Sequence, residues 1–449
     1  MSAWWQTAVI YQIYPRSFQD SNGDGVGDIP GIISRLDYLE WLGVDAIWLS
    51  PIYQSPMVDF GYDVADYCAI DPVFGTMQDF DRLLEDAHRR GLRVIMDFVP
   101  NHTSDQHPWF KESRSSRQNP KRDWYIWQDG RHGGPPNNWL SESTESAWTL
   151  DAATGQYYYH RFQREQPDLN WRNPAVLDAM RAVMTFWLEK GVDGFRVDAA
   201  TSLVEDGLLR DEPVEQGPSD KMRRLRHAFT VDRPETHQCI AALRAHLERY
   251  PDKVLIGEAH MPVARLMEYY GETSPGFQLP FNFTLLDTEH WDASTLGAAI
   301  DQYMLLLPQR DWPNWVLGNH DVSRIATRVG PRMARLGAML ALTMRGTPFI
   351  YYGEEIGAED IVLPPEQWLD PNGRRGGKER DGERAPMPWN GEANGGFTSG
   401  TPWLPLAADA SRNNVAAQRE DPQSMLSLYR ALIHLRKTEL TLRMGDHQA

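Results

Sequence analysis

Residues 176–200 read VLDAMRAVMTFWLEKGVDGFRVDAA, a helical pattern that stops at Gly191 and hands over to a short apolar run, Gly194 to Asp198. Glycine tolerates the left-handed position that ends a helix. The run after it carries few charges, as a strand buried on both faces requires. Working outward from this unit, the same alternation recurs along the chain. Further strand candidates are Ala8 to Tyr14, Asp45 to Ser50, Arg93 to Val99, Val254 to Glu258, Gln278 to Phe283, Trp315 to Asn319 and Pro348 to Tyr352. Helical patterns between them include IISRLDYLEWLG from Ile32, FDRLLEDAHRRG from Phe80 and LGAMLALTMRG from Leu336, each closing on a glycine. Eight strands alternating with eight helices predict an α/β fold, a (β/α)8 TIM barrel in preference to a doubly wound sheet.

The barrel is assigned to residues 1–101 and 174–449. Between the third strand and its helix, residues 102–173 are rich in Trp, Asn, Pro, Ser and Gly and too long for an ordinary connection, so they form an inserted subdomain. A second long segment, 353–421, follows the eighth strand and is full of Gly, Pro and charge. Both leave from the C-terminal ends of strands, where a barrel builds its functional site.

Composition narrows the function. Lys and Arg number 45 against 62 Asp and Glu, leaving −17 formal charges, a balance that repels nucleic acid and anionic membrane surfaces. The two cysteines, Cys68 and Cys239, form no metal or redox spacing. The opening MSAWWQTAVIYQIYP reads as an immediate strand without a signal-peptide pattern, and no run of about 18 apolar residues occurs, so a cytoplasmic location is expected, without membrane partners and as a monomer or homodimer. Seventeen tryptophans, with 17 Tyr and 15 Phe, fit both core packing and stacking on sugar faces.

Polar residues cluster where each apolar run stops. The third strand ends in DFVPNH with Asp97 and His102, the fourth in GFRVDAA with Arg196 and Asp198, the fifth in IGEAH with Glu258, and the seventh in LGNHD with His320 and Asp321; the second leads into SPMVDFGYD with Asp59, Tyr62 and Asp63. Each has a structural reading when taken singly, but five sets converging on one rim point to a site. The chemistry that wants two such carboxyls is attack at an acetal carbon. Neighbouring strands lie about 4.7–4.9 Å apart. Asp198 and Glu258 on adjacent tips therefore fit the roughly 5–5.5 Å of enzymes that retain anomeric configuration. Arg196 projects on the same face as Asp198 and is expected to keep it ionised. Glu258, as the acid, is expected in a drier or more negative setting beside Asp321.

With these motifs the sequence resembles the α-amylase superfamily, glycoside hydrolase family 13, and within it the α-glucosidase and oligo-1,6-glucosidase group. DFVPNH, QPDLNW, GFRVDAA, GEAH and LGNHD stand in the family's order, together with the opening VIYQIYPRSFQDSNGDGVGD, and the resemblance runs from about Trp5 to Lys437. It implies Asp198 as nucleophile, Glu258 as general acid/base and Asp321 as the third carboxylate. It implies that His102, Arg196 and His320 hold sugar hydroxyls, that Tyr62 stacks beneath the ring, and that Phe162 and Gln166 line the site. Asp59 and Arg384 match the pair that clamps a terminal glucose, and Arg324 an arginine that follows HD in many members. Phe60 departs from the usual Asn. Ala199, where valine accompanies α-1,6 specificity, implies α-1,4 preference, and Ala200, where relatives carry a longer side chain, implies a different leaving-group side.

The loop DSNGDGVGD offers Asp20, Asn22 and Asp24 at alternate positions, then the Val26 carbonyl and Asp28. Gly31 stands where an EF-hand has its bidentate Glu, which disfavours a calcium sensor. A structural Ca²⁺ or Mg²⁺ site is favoured over a bare turn, and the resemblance implies calcium there. The reading is thus a retaining, exo-acting α-glucosidase taking terminal glucose from maltose-like oligosaccharides, without an organic cofactor. An α-glucosyltransferase is the alternative, with oligo-1,6-glucosidase, sucrose hydrolase or sugar isomerase behind it. A non-catalytic transporter subunit on the same barrel would carry a membrane helix. The resemblance also implies a β-sandwich after the eighth helix, so the chain is expected to stop short of one.

Overall fold

The computed structural model describes residues 2–215, 224–225, 227–271, 274–375 and 377–445. Eight parallel strands form one sheet: β1 Ile10–Ile13, β2 Ala46–Leu49, β3 Arg93–Phe98, β4 Gly194–Val197, β5 Val254–Gly257, β6 Leu279–Pro280, β7 Asn314–Val316 and β8 Thr347–Tyr351. Their order is β6-β5-β4-β3-β2-β1-β8-β7, so consecutive strands pair and β1 meets β8, as in a curled barrel sheet. The alternation of side chains divides the core. Ile10, Ala46, Trp48, Ile95, Ile256, Leu279 and Phe349 fill the inside, while Val9, Tyr11, Ile47, Leu49, Val94, Met96, Phe195 and Val197 pack outward under the helices. Gln12, Asp97 and Arg196 fall on the inside face, at the end that opens to the site.

β6 covers two residues where six were expected, because Pro280 has no N–H to continue a ladder. Among the described residues β6 and β7 form no ladder, and buried asparagines close the gap. The Asn282 N–H donates to Asn314 Oδ1 at 2.9 Å, and Asn314 Nδ2 donates to the Pro280 carbonyl at 2.7 Å.

The helix Pro174–Lys190 ends at Gly191 with φ +109° as expected. The pattern from Ile32 is instead two pieces, Ile29–Ser34 and Leu36–Leu42, parted at Arg35, whose guanidinium lies over Trp389 and donates to Gln19. The pattern from Leu336 is the helix Pro331–Thr343, which ends before Gly346. Gly346 serves β8 instead, at φ +131°, where a Cβ would meet the Pro313 carbonyl and the Trp315 indole nitrogen at 2.8 Å.

Between β3 and its helix lies a three-stranded antiparallel sheet, Trp127–Gln128, Trp148–Asp151 and Gln156–Tyr159. After β8 the chain makes short turns and helices, among them Pro371–Arg374 and Gly382–Arg384, before the helix Met425–Thr438. Among the described residues no helix is long and apolar enough to cross a membrane.

Candidate active site

A pocket of about 440 Å³ opens at the C-terminal end of the strands. Asp59, Tyr62, His102, Phe162, Gln166, Asp198, Ala199, Glu258, His320 and Asp321 all line it, so the strand-end residues converge as expected. Parallel pairing sets the height of the central pair. Val197 aligns with Gly257, so Asp198 and Glu258 are the next residues on neighbouring strands.

Arg196 lies beneath them and is 1% exposed. Its Nη1 donates to Asp198 Oδ1 at 2.7 Å and to Asp97 Oδ1 at 2.8 Å, while Nη2 reaches Glu258 Oε2 at 2.8 Å. One guanidinium thus faces three carboxylates. The expectation that Arg196 holds Asp198 ionised needs correction: burial, aided by Glu258, Asp97 and Asp321, pushes the Asp198 carboxyl well up against the pull of Arg196. Burial also pushes Asp97 up to about 6. Three carboxyls thus crowd one positive charge. The negative neighbours that Glu258 meets across Arg196 are Asp198 and Asp97, and Asp321 lines the same pocket. Glu258 Oε2 accepts from Arg196 and, at 3.0 Å, from the Ala199 N–H, which the left-handed φ of +45° at Ala199 aims there.

Asp321 lies in a different field. Burial opposes its charge, but His320, Arg380, Arg384 and Arg196 outweigh it and hold its carboxyl far below the usual range. Arg380 Nη1 and Arg384 Nη2 reach Asp321 Oδ1 at 2.9 and 3.0 Å. Arg380, absent from the sequence reading, also donates through Nη2 to Asp59 Oδ1 at 2.9 Å. The partner of Asp59 is therefore Arg380 rather than Arg384, which is 1% exposed, donates to the His320 carbonyl and supports the pocket from behind. The two arginines stand four residues apart in KERDGER, and no spacing rule separates them. Gln166 Nε2 donates to Asp59 Oδ2 at 3.1 Å, completing that corner.

His102 and His320 are buried, which lowers their pKa values to about 4 and about 3, so both are neutral near pH 7. Tyr62 and His320 rings are nearly parallel, at 3° with centroids 5.3 Å apart. Arg324 does not reach the pocket: it lies over Tyr351 and Tyr352 and donates to the Tyr352 carbonyl, because the turn after Asp321 points it into the barrel wall. Ala200 is fully buried, and its neighbour Thr201 lines the pocket instead. Phe60, at φ +49°, packs edge-on against Trp403 with Arg16 over its ring, which holds the Asp59 loop in a conformation costly for a bulky residue.

The acidic loop supplies only oxygen donors, the set that Ca²⁺ and Mg²⁺ prefer. Asp20 accepts the N–H groups of Asn22, Gly23 and Gly25, and Asp28 those of Ser21 and Gly31. Among the described residues no three acidic, histidine or cysteine side chains gather into a cage, so an ion here depends also on the Asn22 amide and the Val26 carbonyl.

The model of the alpha-amylase catalytic domain matches residues 12–445. A probable alpha-glucosidase of Rhizobium meliloti (strain 1021) is 43% identical over 99% of this chain and 84% of its own length. An oligo-1,6-glucosidase of Halalkalibacterium halodurans is 41% identical, over 99% of this chain and 85% of its own. Among solved structures, the alpha-glucosyl transfer enzyme XgtA superposes with a TM-score of 0.94 at 43% identity, covering 99% of this chain and 86% of that one.

Proposed function

The chain belongs to the alpha-amylase catalytic-domain family and is a glycoside hydrolase, and from that premise we propose that it is a retaining α-glucosidase acting on the non-reducing end of short α-1,4-linked gluco-oligosaccharides. The observation that carries the reading is Asp198 and Glu258 at equal height on adjacent strands, joined through Arg196 at the floor of one pocket.

In this mechanism Glu258 carries a proton when substrate binds. Asp198 attacks the anomeric carbon, the glycosidic bond breaks, and Glu258 gives its proton to the departing oxygen, leaving a β-glucosyl ester on Asp198. Glu258, now a carboxylate, takes a proton from water as that water attacks the same carbon. The ester breaks, α-glucose leaves, and Asp198 and Glu258 return to their starting states. Arg196 follows the charge as it moves between the two carboxylates. Asp321, kept ionised, binds hydroxyls of the sugar and stabilises the positive charge that develops on the ring. Asp59 and Arg380 close the far end, which supports action from chain ends.

Proton NMR of maltose turnover, with and without an alcohol acceptor, tests this. The expected first product is α-glucose; β-glucose appearing first overturns retention. The likeness to an alpha-glucosyl transfer enzyme favours one second reading, transfer of glucose to an alcohol or sugar in place of water, and dominance of glucosylated acceptor selects it. We further propose that Asp20, Asn22, Asp24, Val26 and Asp28 hold a Ca²⁺ or Mg²⁺ ion that orders the loop and takes no part in bond cleavage.

A further inference from the structure

Gln12 lies on the inside face of β1, 1% exposed and outside the pocket lining, yet it touches the pocket's floor. Its Nε2 stands 2.9 Å from His320 Nδ1 and donates to Ser50 Oγ at 3.2 Å. On the other edge of the imidazole, Nε2 of His320 is 2.6 Å from the Tyr62 hydroxyl and 3.2 Å from Asp321 Oδ2. The Tyr62 hydroxyl in turn donates to Asp97 Oδ2 at 3.3 Å.

The donors and acceptors in this chain determine one another. A side-chain amide nitrogen only donates, so the imidazole nitrogen that faces it must present a lone pair. The single proton of the neutral ring then lies on the opposite nitrogen. The Asp97 carboxylate, held by Arg196, accepts from Tyr62, which leaves the tyrosine oxygen free to accept from the histidine.

We propose that Gln12 is a positioning residue that fixes His320 as its Nε2–H tautomer, so that the ring presents a donor to the pocket. The structural half stands without any assumption about substrate; the kinetic half rests on the α-glucosidase reading above. With the proton on Nε2, His320 donates to whichever oxygen faces it, the Tyr62 hydroxyl and Asp321 in the free protein and a sugar hydroxyl in the complex. With the proton on Nδ1 the same nitrogen would accept, and it would face the lone pairs of Asp321.

The groups around His320 keep the ring from taking a second proton. Arg384 donates to its backbone carbonyl, and Arg196 and Arg380 add positive charge. Tyr14, Trp48 and Tyr62 enclose the ring, and among the charged neighbours named here Asp321 favours protonation. The device therefore works through proton position rather than through charge.

The test reads the tautomer directly. The protein is labelled with ¹⁵N-histidine, the His320 signals are assigned by their loss in His320→Asn, and one-bond N–H couplings are recorded from pH 5 to 9. A proton on Nε2 alone across that range is expected; a proton on Nδ1, or on both nitrogens near neutrality, overturns the proposal. This outcome does not depend on turnover, so it is independent of whether maltose is the substrate. Gln12→Glu puts an acceptor against Nδ1 and is expected to draw a proton there, to shift the acid limb of the kcat/KM profile, and to lower kcat/KM by more than about tenfold, the scale of one hydrogen bond to a charged or reorganising group. Gln12→Met removes the amide without supplying an acceptor and is expected to lose less and to keep the shape of the profile. Equal losses with unchanged profiles in both variants would assign Gln12 a packing role and sink the proposal.

Discussion

At the scale of single residues, the pocket divides into two electrostatic fields. Asp198, Glu258 and Asp97 share one arginine, whereas Asp321 meets two arginines and is held in its charged form. Asp198→Ala and Glu258→Gln are each expected to lower maltose turnover by more than about 10³-fold with circular dichroism unchanged, since each removes a group that bonds to or protonates the reacting atoms. A near-normal rate from either folded variant would take that residue out of its role. Arg380→Met removes the charge that bridges Asp59 and Asp321, leaving Gln166 on the first and Arg384 on the second, and kcat/KM for maltose should fall on the order of 100-fold. Arg380 also shows where sequence reading stops. The strand-end carboxylates were legible because each follows directly on an apolar run, a pattern that strand geometry imposes. Arg380 and Arg384 sit in an irregular loop without periodicity, so only the folded chain decides which one reaches Asp59. The shared role of Arg196 was hidden for a similar reason: sequence shows which residues lie on one face of one strand, but not that three carboxylates from three strands crowd one guanidinium.

Among the elements, the turn Glu354–Ile356 after β8 carries a buried carboxyl with no part in the site. The Tyr429 hydroxyl donates to Glu354 Oε1 at 2.8 Å, tying the turn to the helix Met425–Thr438, while burial pushes the Glu354 carboxyl up to about 8. A carboxyl whose folded-state pKa is raised stabilises the fold at low pH, below its unfolded value of about 4.3, and loses that contribution as pH climbs through the raised value. Calorimetry between pH 5 and pH 8 should therefore show a smaller decline in Tm for Glu354→Gln than for the parent; equal declines would assign the pH dependence elsewhere. Element ends were less legible than elements. β6 keeps two of its six expected residues, because Pro280 lacks the N–H that a regular ladder needs there and Phe281 donates to the Gly257 carbonyl instead, a local fact that the hydrophobic pattern outweighed. Gly346, expected to end a helix, answers instead to the closeness of Pro313 and Trp315, contacts between segments about 30 residues apart. Asn314 bears the closure between β6 and β7, and Asn314→Ala should cost about 3 kcal/mol in denaturant unfolding by leaving the Asn282 N–H and the Pro280 carbonyl without partners.

For the whole molecule, the barrel was readable from the alternation of apolar runs and helical patterns, because burial on both faces of a parallel sheet leaves a strong compositional mark. The acidic loop at residues 20–28 lies outside that barrel logic, and its test is a whole-molecule measurement. A chelator is expected to lower Tm more than it lowers kcat of the folded enzyme, and equal Tm with and without chelator removes the ion site. The gap between β6 and β7 has a further consequence. Everywhere else in the sheet, peeling off a strand breaks a run of backbone hydrogen bonds at once. Among the described residues, a few bonds at this boundary, most of them involving the side chains of Asn282 and Asn314, hold the edges together, so rotation of those side chains releases them. The barrel therefore has an expansion joint. Deuterium should enter the amides on both sides of it sooner than those of β2 and β3, the strands that lie farthest from the gap around the sheet, so slow breathing of the cylinder would begin at the joint and reach the strand that carries Asp97 among the last.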